Sequence, residues 1–188
     1  MQQPHLSNMR CPIVALETRL STSRGLIVLL MAYTIVFGMI FWSLNQLSEV
    51  SGGYGILDFE PGYSLDRVNE ILGSYGPEGM ALYGRIQVLD VFNPALYSLV
   101  AATLTYLLWR DRGPDWLCLM PLLGGLGDYA ENVTLFMIAR AYPELPVGLV
   151  QVSSMLSLIK NGLLVIGFAP LIIGVILWVI RRVRGNAE

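Results

Sequence analysis

Asp128, Glu131 and Asn132 follow one another at i, i+3 and i+4, so a helix carries all three on one face. A second polar stripe runs Tyr83, Gln87, Asp90, Pro94 and Tyr97 at steps of three and four, and a third runs Ser153, Ser157 and Lys160, with Ser154 and Asn161 alongside. Carboxylates held in this way suit one of two tasks. They can recognise a polar or charged group on a ligand, or they can act as acid and base while Lys160 or Arg85 steadies charge that develops in a reaction. What makes them notable is their setting, since each lies in a run of apolar residues where a charge costs about 2.5–3.5 kcal/mol at a helix centre.

The elements that must position these residues are legible from composition. Of 188 residues, 54% are hydrophobic and 14% are charged, against about 25% charged in an average soluble domain. Mean hydropathy is +0.58. The expectation is an all-α integral membrane protein: one domain over residues 1–188, built as a bundle of four transmembrane helices at about 25–46, 80–109, 116–142 and 147–180. Trp42, Trp109, Trp116 and Trp178 fall near the ends of these stretches, as membrane-interface aromatics do.

Arginines give the orientation. Arg10, Arg19, Arg24, Arg110, Arg112, Arg181, Arg182 and Arg184 lie on one side, and Arg67 and Arg140 on the other. The positive-inside rule then places both termini in the cytoplasm and the segment 48–79 outside. One lysine beside eleven arginines suggests a GC-rich bacterial genome, hence a multi-pass protein of the inner membrane. In the outer loop, Ser64 can cap a short amphipathic helix from Leu65 to Leu72, which Gly73, Gly76 and Pro77 end before the second stretch begins. The loop is acidic, which disfavours anionic lipid as its partner, and it reads as a surface cap.

Several chemistries lack raw material. His5 is the only histidine, so no His-based metal site or Ser-His dyad is expected. Cys11 and Cys118 form no CxxC pair, which argues against disulfide oxidoreductases. No Gly-rich phosphate loop occurs, and a net charge of −2 gives no nucleic-acid footprint. No cofactor and no metal is expected.

Depth places the charges together. At about 1.5 Å of rise per residue, Asp128 and Glu131 lie roughly 18 and 22 Å in from Trp116, while Asp90, Lys160 and Arg85 fall closer to the outer boundary. Polar residues of all four helices thus meet in one layer toward the outer leaflet. Pro94 should kink the second helix and free a carbonyl near Asp90. Three carboxylates, Asp90, Asp128 and Glu131, face two cations, Arg85 and Lys160, so one carboxylate must hold a proton or be balanced by a cationic ligand. The candidate ligand-binding residues are therefore Asp90, Asp128, Glu131, Asn132, Lys160, Arg85 and Tyr97, with Asp128 and Glu131 the candidates for catalysis if a reaction occurs. Asn45, Gln46 and Asn132 also suit plain interhelical hydrogen bonding, and the serines of the last stretch read as packing residues.

The run Gly84-Arg85, Leu89-Asp90, Pro94 and Tyr97, together with Asp128-Tyr129-x-Glu131-Asn132 and Lys160, resembles a family of small four-helix bacterial membrane proteins of uncharacterised activity. The family's Phe-Pro pair is Asn93-Pro94 here. The resemblance covers about half of the chain and implies the bundle and the pairing of these motifs, without implying a reaction, substrate or partner.

Three readings follow. In the first, the chain binds a membrane lipid or a lipophilic small molecule, whose head meets the polar layer. In the second, it is an enzyme with acid or base chemistry at Asp128 or Glu131. In the third, it is an accessory or assembly subunit of a larger membrane complex. No nucleophile and base stand in recognisable spacing, which ranks binding ahead of catalysis.

Overall fold

The computed structural model describes residues 12–185; His5, Arg10 and Cys11 lie outside them. The described residues form helices and turns with no strand. A short helix α1 (Pro12–Leu20) leads into α2 (Ser23–Val50), whose N-cap Thr22 accepts from the Gly25 N–H at 3.2 Å. Glu17 tucks α1 against the next layer, its Oε2 accepting from Thr103 Oγ1 at 2.7 Å.

After α2 the chain forms a strap, residues 51–64, with one 3-10 turn at Leu57–Phe59. Ile56 and Leu57 are buried there, and Tyr75 Oη donates to the Gly55 carbonyl at 2.7 Å. Helix α3 (Leu65–Asp90) begins at Ser64, whose Oγ accepts from the Arg67 N–H at 3.2 Å, as the sequence predicts. Its break comes at Gly76, not Gly73. Gly76 has φ 58° and ψ −170°, a conformation that a side chain resists, and Pro77 then starts the second segment.

The second apolar stretch is not one helix over 80–109. It divides into the end of α3 and a separate α4 (Asn93–Trp109), with Val91 and Phe92 between them. Pro94 is the cause, since it cannot donate to the carbonyl of Asp90 and is accepted only in a first helical turn. The third stretch starts as a 3-10 turn at Asp115–Leu119 and becomes α5 at Met120–Ala141. Helix α6 (Val147–Gly185) runs five residues past the expected 180.

Among the described residues, three helical segments are long and apolar enough to cross a membrane: α2, residues 65–109 taken together, and α6. Helix α5 is a different kind of element. It packs on α6 along its length and on α4, and Gly124, Gly125, Gly127, Asp128 and Glu131 are all buried. A Cβ on Gly125 would lie 2.9 Å from the Pro94 carbonyl oxygen, and one on Gly127 would lie 3.2 Å from Lys160 Cα. Small residues thus bring the backbones of α4 and α6 close to the two carboxylates of α5. The apolar core sits beyond them, where Leu47, Leu57, Ile71, Leu72, Leu135, Ile138 and Val150 are almost fully buried. Outward faces of α2 and α6 remain apolar, with Ile27, Met31, Phe41, Ile172 and Ile176 exposed.

Candidate functional site

Glu131 and Asp128 project from adjacent turns of α5 toward Lys160 on α6. Glu131 is wholly buried, and the Lys160 ammonium forms an ion pair with its Oε2. The same ammonium lies 3.7 Å from Asp128 Oδ1 and donates to the backbone carbonyl of Asp58 at 3.1 Å. Tyr97 of α4 donates to the other Asp128 oxygen at 3.0 Å, and its ring packs against Phe168. Glu131 Oε1 is buried and has no hydrogen-bond partner among the described residues.

Asp90 ends α3 beside the break. Asn93 Nδ2 donates to its Oδ1 at 3.0 Å and Asn132 Nδ2 to its Oδ2 at 2.6 Å. The same Asn132 nitrogen lies 3.5 Å from the Asp90 carbonyl, the one that Pro94 leaves without an intrahelical donor, and Tyr129 Oη donates to the Val91 carbonyl at 2.8 Å. The Asp-Tyr-x-Glu-Asn run therefore has two jobs. Its acids build the cluster, while Tyr129 and Asn132 satisfy the backbone that the α3–α4 break exposes.

Of the seven predicted binding residues, Asp90, Asp128, Glu131, Asn132, Lys160 and Tyr97 come together. Arg85 does not join them. It is exposed, with its guanidinium 6.0 Å from the centre of the Trp42 ring. Its place on the helix explains this, since Ile86 and Tyr83 take the buried face of that turn.

Asp58 was missed. It stands on the strap, where acidity alone reads as solvation, yet its neighbours Ile56 and Leu57 are an apolar pair in a polar loop, and their burial carries Asp58 inward. Carboxylate oxygens of Asp58, Asp128 and Glu131 all lie within 4.8 Å of one another, spacing that would suit a cation, and Lys160 already reaches this group. Burial, reinforced by the Asp90 carboxylate and opposed by Lys160, pushes the Asp58 acid up to about 8. The charge count changes accordingly. Four carboxylates, Asp58, Asp90, Asp128 and Glu131, share one protein cation, Lys160.

The serines of α6, read above as packing residues, hold the strap in place. Ser154 Oγ accepts from the Tyr63 N–H at 2.9 Å, Ser153 Oγ lies 2.6 Å from Tyr63 Oη, and Ser157 Oγ donates to the Glu60 carbonyl at 2.8 Å. On the strap's other face, Arg67 bridges Glu60 and Glu70 at 2.6 and 2.9 Å.

Cavities surround the cluster. One, about 650 Å³, has Asp58, Asp90, Asp128 and Lys160 in its wall with the polar side chains of Asn45, Ser48, Asn93 and Asn161, and its remaining wall is mainly apolar, including Phe37, Ile40, Leu44 and Leu164. A second, about 410 Å³, reaches Asp58 and Asp90 from the direction of Tyr129, Val133 and Phe136. A third, about 370 Å³, continues from Asp128 and Leu164 along Tyr97, Leu104, Phe168 and Leu171. Such a site presents excess negative charge to an apolar chamber of the size that holds a small organic ligand.

Among proteins of known family, curated proteins and solved structures alike, no match to this chain was found.

Proposed function

We propose that the chain is a four-span integral membrane protein of the bacterial inner membrane, with both termini cytoplasmic, that binds an amphiphile carrying a cationic head. The four spans are α2, the second segment of α3 with α4, α5, and α6. The family of small four-helix bacterial membrane proteins described by the Gly-Arg, Leu-Asp and Asp-Tyr-x-Glu-Asn motifs is its proposed kin.

One observation carries the reading: Asp58, Asp90 and Asp128 line a 650 Å³ cavity with a single lysine, a few uncharged polar side chains (Asn45, Ser48, Asn93, Asn161) and walls otherwise mainly of Phe, Ile and Leu. Were the cluster only a device for holding helices together, its acids would be paired and enclosed. Instead the carboxylates outnumber the cation, and in a low-dielectric site the remainder is balanced by protons or by a cation brought in from outside. An ammonium head supplies that charge, and an alkyl tail suits the walls. The catalytic alternative has less support, because no group in the cluster is placed as a nucleophile beside a base.

Native mass spectrometry of the protein released from membrane nanodiscs tests this. Wild type should retain an amine-bearing amphiphile, and Asp128→Asn should lose it. Retention of the same species by both, or of neutral lipids only, would count against the site.

A further inference from the structure

Helix α2 packs on α3 and α4, and α6 packs on α5 and α4, while among the described residues any contact of α2 with α6 is slight. The space between them is taken up by two cavities in line, the 650 Å³ one and the 370 Å³ one, which share Asp128 and Leu164 as walls. On α2 these cavities extend from Tyr33 to Ser48, a slot about 22 Å long at 1.5 Å per residue. The 370 Å³ part is lined mainly by apolar side chains, and the acids, with Asn45, Ser48, Asn93 and Asn161, line the 650 Å³ part.

The other approach to the acids is covered. Strap residues Gly55, Ile56, Asp58 and Phe59 wall the large cavity. The strap is fastened to α6 through Tyr63 and Ser157 and to α3 through Tyr75. A ligand coming from water meets that fastened segment, while one dissolved in the bilayer meets an open slot.

We infer that the ligand is a single-chain ammonium amphiphile, which enters sideways from the bilayer between α2 and α6 and leaves its tail in the slot. This rests on the cationic-head reading of the same site. The nitrogen lies by Asp128, and the tail runs from Leu164 past Phe168 toward Leu171. The in-line order of the two cavities fits one chain, not two abreast. A tail gains little by leaving lipid for a slot of the same polarity, so the slot selects shape and direction while the carboxylates supply affinity.

The test uses full-length protein in nanodiscs, with Cys11 and Cys118 replaced by Ala and dodecylammonium as the probe. One double variant, Phe41→Cys with Leu164→Cys, is bridged across the slot by a short bis-maleimide. Another, Tyr63→Cys with Ser154→Cys, is bridged across the strap. Bridging the slot should slow association by about tenfold or more, and bridging the strap should leave it unchanged. A slowed strap-bridged protein with an unaffected slot-bridged one would overturn the lateral route, as would no effect from either bridge. Loss of probe binding in the unbridged wild type would instead defeat the cationic-head reading itself. A second measurement needs no variant: a diazirine on the tail's terminal carbon should label Phe168, Leu171 or Tyr33 in wild type. Labelling at Phe136 or Met137, in the 410 Å³ cavity, would overturn the assignment.

Discussion

Lys160 on α6 and Glu131 on α5 form a buried ion pair in which one ammonium serves more than one acid, since Asp128 lies 3.7 Å from the same nitrogen. Removing one partner of a buried pair leaves an uncompensated charge, typically worth about 3–5 kcal/mol. Lys160→Met should therefore destabilise the fold by about that amount. Glu131→Gln should cost less, because Lys160 keeps Asp128. Chemical denaturation in a mild detergent compares the two, and a smaller loss for Lys160→Met than for Glu131→Gln would contradict this picture of the cluster.

The strap is held by side chains, so it should loosen one bond at a time. Tyr63→Phe and Ser157→Ala each remove one hydrogen bond to α6, worth about 1 kcal/mol. Amide exchange over residues 55–63 should quicken in both variants while α5 keeps its protection. Uniform quickening throughout the bundle would mean that the strap is integral to the fold and not a fastened cover.

Asp58 gives the site a pH dependence with a definite sign. Its ordinary value is 3.8 and its folded value about 8, so the folded state holds a proton that the unfolded state releases between the two. The stabilising contribution is complete below 3.8 and is lost as pH rises through about 8. Thermal stability of the wild type should decline across that window, and Asp58→Asn should flatten the slope. A cationic ligand competes with the same proton, with Asp90, Asp128, Glu131 and Lys160 facing it, so its affinity should climb over the same range. An identical slope in Asp58→Asn would remove Asp58 from the account.

Close helix approach sets a further contrast. Gly125→Ala would press a methyl carbon to within 2.9 Å of the Pro94 carbonyl oxygen, and Gly167→Ala to within 2.7 Å of that of Met120. Each should cost about 1–3 kcal/mol, because backbone cannot step aside as a side chain can. At Gly84, where nothing lies within 4 Å, Ala should be neutral or slightly stabilising. Thermal melts of the three variants decide the matter, and a destabilised Gly84→Ala with a neutral Gly125→Ala would reverse it.

Much of this arrangement is legible in the sequence because helical spacing is a local property. Asp128, Glu131 and Asn132 share a face wherever their helix packs, Ser64 caps whatever follows it, and Pro94 must interrupt the ladder at Asp90. Long-range placement is harder to read. Asp58 enters the cluster because its strap neighbours Ile56 and Leu57 are buried, which brings it to Lys160, 102 residues away in the chain. Arg85 leaves it because an exposed tryptophan one helix away offers the guanidinium a ring. Both placements change the charge count. Spacing suggested three acids against two bases, and tertiary packing makes it four against one. The role of the α6 serines is hidden for the same reason, since Ser154 and Ser157 bond backbone groups of a distant loop and Ser153 meets the Tyr63 hydroxyl of that loop.

The central claim is that excess carboxylate charge selects a cationic amphiphile, and paired ligands that differ only in charge test it most directly. Dodecylammonium and dodecanol should be titrated against the wild-type protein in nanodiscs, and dodecylammonium again against Asp90→Asn and Asp128→Asn. The account predicts a preference for the ammonium of about tenfold or more in the wild type, equivalent to about 1.4 kcal/mol, and a loss of most of it in each variant. Equal binding of the two ligands by the wild type, or an ammonium affinity unchanged by both substitutions, would contradict it.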